Sequence, residues 1–333
     1  MHKIFNKNKI YFIAEAGVNH DGNFNRARKL VIAAKRAGAD AVKFQSFKTE
    51  EFLSDKKLIY KYKNKKFNAF KMFKKLEFNL KWYQKLNKLC KKHNIEFLSS
   101  VADPISAKQY FKYNNKILKL ASEDIINYPL IKFLSKFKNK IIIVSTGMAS
   151  LIEIKEAVKI LTKRNKVILM HCVSLYPTKL NEINLKRLIN LKKKFNLEVG
   201  FSDHTIGCHS MLIARSLGCR IFEKHFTLNK KFKGPDHFLS MDENDTTEAI
   251  KTLQSYNNII GDGYINPRGR EINSKFKFRR SIVAIKNIKK GTQITEDMIG
   301  LKRPSKGMHP INIKKVIGKK AKKNFKINEN ISI

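Results

Sequence analysis

Apolar residues along this chain fall into short runs, each followed by a longer stretch with helical spacing. The runs are YFIAEAG (11–17), DAVKFQ (40–45), IEFLSS (95–100), KILKLAS (116–122), IIIVSTG (141–147), VILMHC (167–172), LEVGFSD (197–203) and RIFEKHF (220–226). Between them, FNRARKLVIAAKRAGA and LIEIKEAVKILTKR repeat apolar positions at the three-to-four residue interval of a helix. Gly38 and Gly218 fall where such helices should stop, just before the next run. Runs that are apolar on both faces and alternate with helices predict parallel strands covered on both sides. Eight such units over about 260 residues fit a (β/α)8 TIM barrel better than an open doubly wound sheet. The first loop, AGVNHDGN, carries no GxGxxG fingerprint, which counts against a dinucleotide-binding fold.

Polar residues gather at the C-terminal ends of the predicted strands. Glu15, Lys43 with Gln45, Ser100, Lys119 with Ser122, Ser145 with Thr146, His171, Ser202 to His204 and Glu223 to His225 all sit there. That is where barrel enzymes place their chemistry. After Gly261 the pattern changes. The predicted organisation is a barrel over 1–262, a basic, turn-rich linker over 263–280 and a small β-rich domain over 281–333. In SIVAIKNIKKGTQITEDMIGLKRP the KKG turn is expected to join short strands. A domain this small is expected to pack on the barrel or on a partner subunit.

Composition changes the picture little. With 333 residues, 42% hydrophobic and 10% aromatic, the chain is globular rather than disordered. The formal charge of +42 invites a nucleic-acid reading. The lysines, however, are spread along the chain on helix faces such as KLNKLCKKHN, with no RNP-like, zinc-finger or helix-turn-helix motif. We therefore expect no nucleic-acid partner, although positive charge also steers anionic substrates. No stretch approaches the roughly 20 apolar residues of a membrane span, so no membrane association is expected. Cys90, Cys172, Cys208 and Cys219 lack CxxC pairing and read as reduced thiols of a cytoplasmic protein.

Candidate chemistry begins with His204 and His225, at the ends of neighbouring strands, which lie about 4.8 Å apart. Two inward imidazoles there could share one metal ion and leave positions open for water and substrate. The alternative is that each is a hydrogen-bonded polar residue at a strand end. Lys43 and Lys119 interrupt apolar strands, where a solvated lysine is unwelcome. With Ser100, Ser122, Ser145 and Thr146 they resemble a pocket for a phosphorylated or carboxylated anion. A Schiff-base lysine or a lysine snorkelling to solvent remain rival readings. Glu15 is a candidate acid or base. His20 reads as a loop residue of the rim, and His171 as either a core or a site histidine. The GPD turn at 234–236 could present Asp236 to a polar ligand.

In order along the chain, AEAGVNHDG, DAVKFQ, LASED, STGMA, HCVSLYPT, GFSDHT, EKHFTL with GPDH, and the late KRP resemble the sialic acid synthase family, from about residue 10 to the C-terminus. Members of that family condense phosphoenolpyruvate with N-acylated mannose-type sugars. The resemblance implies a metal-dependent barrel, with Mn²⁺ the usual ion and Mg²⁺ or Co²⁺ as alternatives. It also implies a C-terminal antifreeze-like (SAF) domain that caps the site of the other subunit in a swapped homodimer. Carried over by motif, His204 and His225 would be metal ligands. Lys43, Ser100, Lys119, Ser122, Ser145, Ser174 and Ser202 would hold phosphoenolpyruvate. Glu15, Tyr176, Asp124 and Asp236 would face the sugar, with Glu15 also preparing the attacking water. Arg303 would reach the sugar's acyl group from the neighbouring chain.

Four positions depart from the family pattern. Ser174 stands where N-acetylneuraminate-forming relatives often have Asn, SSVADP replaces STPFD, Asp124 stands where Glu is common, and KRPSKG replaces KRPGxG. The main reading is an N-acetylneuraminate-type synthase acting on N-acetylmannosamine or a related acylated amino sugar, and the departures bear on which sugar it is. Legionaminic or pseudaminic acid synthesis from a 2,4-diacetamido-trideoxyhexose is the alternative. A deoxyheptulosonate synthase would share the chemistry but not the KRP domain. A Schiff-base aldolase or a nucleic-acid-binding protein is more distant.

Overall fold

The computed structural model describes residues 2–62, 65–113 and 115–333. It divides into two compact units, residues 1–260 and 261–333. In the first unit each of the eight apolar runs is a strand: β1 (Tyr11–Gly17), β2 (Ala41–Ser46), β3 (Glu96–Val101), β4 (Ile117–Leu120), β5 (Ile141–Ser145), β6 (Lys166–His171), β7 (Glu198–Asp203) and β8 (Ile221–His225). They pair in sequence order, all parallel, and β8 closes on β1. The (β/α)8 barrel expected from the sequence is the observed fold.

The period-two alternation of strand side chains stacks the barrel interior in layers. A lower interior cluster is apolar: Tyr11, Ile13, Ala41, Leu98, Ile117, Ile141, Ile143, Ile168, Met170 and Ile221 are all buried. Two residues on, toward the C-terminal mouth, the same faces present Glu15, Lys43, Ser100, Lys119, Ser145 and Glu223. The outward face of each strand packs under the helices in one continuous core that includes Phe12, Val42, Phe97, Leu118, Val144, Leu169, Phe201 and Phe222. Gly200 is needed for packing, because a Cβ there would stand 2.9 Å from both the Ile221 carbonyl oxygen and Met170 Cε.

Local signals set the helix limits. Asn23 caps the helix Phe24–Arg36 through the Arg26 N–H, and Ser150 with Glu153 forms a capping box on Leu151–Leu161. Gly38 and Gly218, both at φ +89°, end helices where the sequence placed those stops. The β2–β3 connection carries an unanticipated hairpin, Ile59–Tyr62 against Lys65–Asn68. Its frequent lysines leave no alternation of apolar and polar positions from which to read a half-buried strand.

In the second unit Ser281–Ala284 pairs antiparallel with Ile299–Lys302 over a core of Ile282, Ile288, Ile294, Val316 and Phe325. The KKG turn was expected to join two strands. Instead it joins irregular segments, with Gly291 at φ +85° donating its N–H to the Ala321 carbonyl. Those segments pair by single bridges, Ile288 with Phe325 and Gln293 with Lys320. The stretch 263–280, expected as a linker, holds the helix Arg270–Phe278 and groups with the second unit. Among the described residues no helix is long and apolar enough to cross a membrane. All four cysteines are free thiols.

Candidate functional site

The polar layer at the barrel mouth is built around four buried charges. Lys43 Nζ lies 2.8 Å from Glu15 Oε1 and 3.6 Å from Glu223 Oε2, and Lys119 Nζ donates to Glu223 Oε1 at 2.9 Å. Strand register accounts for the quartet, since Glu15 is paired in register with Lys43 on one side and His225 on the other. Ser202, in register with Glu223, donates to Glu223 Oε1 at 2.9 Å, and Gln45 donates to Glu15 Oε1 at 2.9 Å. Burial pushes both carboxyls up. For Glu223 the Lys119 and Lys43 ammoniums overcome it and hold the carboxyl at about 2. For Glu15 burial and the Glu223 charge outweigh Lys43, so its pKa is raised. Burial opposes the Lys43 charge, but Glu15 and Glu223 more than restore it.

This network is incomplete. Glu15 Oε2, Glu223 Oε2, Ser174 Oγ and His225 Nδ1 are buried without a hydrogen-bond partner. Buried polar atoms of a folded protein are nearly always satisfied, and an unsatisfied one costs about 1–3 kcal/mol. Four in one cavity mouth point to groups supplied by a ligand. Ser100 is in register with Lys119 and Gln45, and Ser145 and Ser202 are buried in the same layer. Ser122 Oγ lies 3.1 Å from Cys172 Sγ. Gly147 makes room beside them, since a Cβ there would lie 2.4 Å from Ser174 Oγ and 2.7 Å from Ser122 Oγ.

Above the quartet stand the two histidines, ring centroids 5.6 Å apart, with the Tyr176 ring 4.3 Å from His204 and edge-on to His225 at 5.9 Å. His204 Nδ1 donates to the Val173 carbonyl at 2.7 Å, which leaves the lone pair on Nε2. Burial lowers both imidazoles, His204 to about 4 and His225 well below its ordinary value, so both are neutral near pH 7. Neutral imidazoles with an uncommitted nitrogen are what a divalent cation requires of histidine. Among the described residues no group of three or more His, Cys, Asp or Glu is arranged to hold a metal. The two imidazoles offer two nitrogens to a cation, and any further ligands would have to come from outside the protein. The charge balance agrees, because the two lysines are already neutralised by two carboxylates and an incoming polyanion would need a further cation.

Of the residues assigned to the sugar, Asp236 Oδ2 lies 3.7 Å from His225 Nδ1, and burial with the nearby Glu15 and Asp21 charges raises its carboxyl to about 7. Its loop is fixed by His237, which bonds Asp21 at 3.0 Å and Thr227 at 2.6 Å. Asp124 is buried beside Asn127, whose amide donates at 3.2 Å, and burial with Glu123 raises its carboxyl to about 7. Arg303 lies in the second unit, its guanidinium over the Phe278 ring at 5.7 Å. His171 faces away from the mouth, stacked on Phe201 and bonded to the Ile183 carbonyl, and is a core residue. His20 is buried against Phe44, Phe78 and Trp82. Glu223, which joins the two lysines, was given no role from the sequence. Its spacing carried the signal, since a residue two before His225 on one strand shares its inward face.

Comparison with known proteins agrees with this architecture. The NeuB family model matches residues 30–264 and the SAF domain model matches residues 279–332. The chain is 41% identical over 329 residues to the N,N'-diacetyllegionaminic acid synthase of Campylobacter jejuni, covering 96% of this chain and 98% of that one. It is 35% identical to the enzyme of the same name from Legionella pneumophila, over 95% of this chain and 91% of the other. Among solved structures, the N-acetylneuraminic acid synthetase of Leptospira borgpetersenii superposes with a TM-score of 0.71 at 32% identity, covering 80% of this chain and 90% of that one. The family model over most of the chain, the SAF model after it and the 41% identity to a full-length relative make this chain a member of the NeuB family.

Proposed function

We propose that this protein condenses phosphoenolpyruvate with a 2,4-diacetamido-2,4,6-trideoxymannose-type sugar to form a legionaminic acid, releasing inorganic phosphate. The observation that carries the condensation is the buried Lys43–Glu15–Glu223–Lys119 quartet beneath His204 and His225. The preference over N-acetylmannosamine rests on the 41% identity to a legionaminic acid synthase, against 32% to the N-acetylneuraminic acid synthetase. The Ser174 and Asp124 departures fit a substrate other than N-acetylmannosamine.

Lys43 and Lys119 hold the carboxylate and phosphate of phosphoenolpyruvate, helped by Ser100, Ser122, Ser145, Ser174 and Ser202. The ligand would displace Glu223 from one ammonium, and the added negative charge would be balanced by the cation that His204 and His225 would hold. Tyr176, Asp124 and Asp236 orient the open-chain sugar so that its aldehyde carbon meets carbon 3 of phosphoenolpyruvate. His204 and His225 would hold a divalent cation, with Mn²⁺ first in expectation, and that ion would supply Lewis-acid polarisation of the aldehyde. Carbon 3 bonds to the aldehyde carbon, whose oxygen takes a proton, and water adds at carbon 2. Glu15, its pKa raised by burial, receives that water's proton. The bond from carbon 2 to the ester oxygen then breaks as the carbon 2 hydroxyl becomes a ketone, and phosphate departs with the ester oxygen and the hydroxyl's proton. One water is consumed for each phosphate released.

Arg303 is assigned to the acyl group of a sugar bound by a neighbouring copy in a swapped dimer. That assignment rests on the family resemblance, and a chain ending near residue 280 tests it by losing sugar affinity.

The deciding experiment measures phosphate release from phosphoenolpyruvate, with Mn²⁺ or chelator. The sugars are N-acetylmannosamine, the 2,4-diacetamido-trideoxymannose and the corresponding altrose. Metal-dependent release with the manno sugar is expected. Release with N-acetylmannosamine alone would overturn the substrate, and borohydride trapping of pyruvate on Lys119 or Lys43 would overturn the chemistry.

A further inference from the structure

The opposite end of the barrel carries a second concentration of charge. A cavity of about 660 Å³ lies at the N-terminal ends of three successive strands, lined by Lys116, Lys138, Lys140, Lys163, Arg164 and Lys166. No Asp or Glu lines it. Lys116, Lys140 and Asn165 each immediately precede a strand (β4, β5 and β6), whereas Lys119, Ser145 and His171 lie at or near the strands' other ends. At about 3.3 Å per residue, the three to six residues between them separate the cavity and the mouth by some 10–20 Å along the strands.

Two features set the cavity apart from the rest of a lysine-rich surface: its six cations gather without an acid in the lining, and a buried amide among them has an uncommitted donor. Some surface cations meet acids, as in Lys74 with Glu50, Arg36 with Glu243 and Lys230 with Asp245. Among the described residues the six cations of this cavity form no ion pair. Asn165 is only 8% exposed, its Oδ1 accepts the Lys140 N–H at 3.0 Å, and its Nδ2 is buried with no partner. The hydrogen bond from Lys140 fixes the amide, so a residue of the cavity lining keeps an uncommitted donor buried beneath the surface. Burial and the Lys116 charge also lower the Lys140 ammonium, the signature of crowded cations without a counter-ion.

Three cation-bearing strand starts, a fixed amide donor and the absence of acids suit an anion of high charge density. The volume lies within the ordinary range of small-molecule sites. We propose that the N-terminal end of the barrel binds a small polyphosphate-bearing ligand, a nucleoside triphosphate or an inorganic polyphosphate, separately from the phosphoenolpyruvate site. This goes beyond the proposed reaction and does not depend on it.

The test is calorimetric titration of the full chain with ATP and with sodium tripolyphosphate at about 0.15 M ionic strength. Both are expected to bind in the presence of saturating phosphoenolpyruvate. Asn165→Asp keeps the acceptor for Lys140 and replaces the donor with a carboxylate, so it should weaken binding by at least roughly tenfold. Lys140→Gln/Arg164→Gln should do the same, and both variants should keep their thermal midpoint. Lys192→Gln/Lys193→Gln/Lys194→Gln, on an exposed helix face, serves as the control for general charge and should bind normally. Tighter binding of ATP than of tripolyphosphate would identify a nucleotide, and equal binding a bare polyphosphate. Displacement by phosphoenolpyruvate, equal weakening by the control triple, absence of binding, or binding confined to long RNA would each overturn the proposal.

Discussion

Lys119 and Lys224 are both almost wholly buried, 3% and 2% exposed, and each meets a carboxylate, yet their surroundings differ in kind. Lys224 points out of the barrel wall and reaches Asp203 at 2.8 Å and the Thr205 carbonyl at 2.5 Å. Asp203 also accepts from the Thr205 N–H, the Thr205 hydroxyl and the Ser210 hydroxyl, all within 2.9 Å. Neither oxygen of Asp203 is left without a donor. Lys119 points into the barrel and bonds Glu223, whose second oxygen accepts no hydrogen bond and has only the Lys43 ammonium at 3.6 Å, in a layer with three other unsatisfied atoms. A closed network of buried charge rigidifies the fold, while one left open at one side is built to be finished by something else. Glu223 and Lys224 are consecutive on one strand, so the pleat alone separates the functional pair from the structural one.

The largest effect expected within the open network is at the histidines above it. His204→Ala or His225→Ala should lower metal-dependent phosphate release by about 10³-fold or more, with the fold retained. Circular dichroism melting and a phosphate assay read the two quantities separately, and normal turnover of either variant in chelator-treated buffer would remove the metal from the account. Next in size is the contrast itself. Lys224→Met leaves Asp203 buried and unpaired and should cost about 3–5 kcal/mol in urea unfolding, with the KM for phosphoenolpyruvate unchanged at temperatures where the variant is folded. Lys119→Met/Glu223→Gln removes a pair together and should cost much less stability, but raise that KM by about 30- to 100-fold. If the two variants behaved alike, the distinction between closed and open networks would fail.

How much of this was legible from the sequence follows the same division. The eight strands announce themselves because each is apolar on both faces, and the stops at Gly38 and Gly218 because only a left-handed turn ends those helices. Lys43 and Lys119 stand out as charges inside apolar runs. Glu223 is less conspicuous in EKHF, where two charges precede a histidine; the two-residue spacing from His225 puts it on the inward face, and only the register with Ser202 shows what it joins. The hairpin at 59–68 and the bridges of the second unit were illegible for a related reason. Their order comes from turns and single contacts made at a distance, and the local pattern carries no trace of them.

Packing offers a smaller, sharper probe of the open side. Gly147→Ala would force its Cβ against Ser174 Oγ and Ser122 Oγ, while leaving the closed Lys224–Asp203 network untouched. Over-packing of this kind costs about 1–3 kcal/mol. The cost should appear mainly as a KM for phosphoenolpyruvate raised by roughly five- to a hundredfold, because the crowded hydroxyls are those assigned to the ligand. A fall in thermal midpoint with unchanged KM would place those serines in the scaffold.

The effect smallest in any single measurement, being spread over several units of pH, is titration of Asp124, which is buried beside Asn127. Burial raises its carboxyl from 3.8 to about 7 in the folded chain. Between those values the unfolded chain has lost the proton and the folded one keeps it, so the unfolded state binds fewer protons and this residue's share of stability falls as pH rises. Below about pH 4 both states are protonated and above about pH 7 both are ionised, so the slope is confined to that window, at no more than about 1.4 kcal/mol per pH unit. Asp124→Asn removes the titration. Urea midpoints measured from pH 4 to 8 should therefore fall more steeply in the parent than in the variant. Parallel curves would mean that Asp124 is already ionised at neutral pH, and it would then meet the sugar as a hydrogen-bond acceptor instead of a donor.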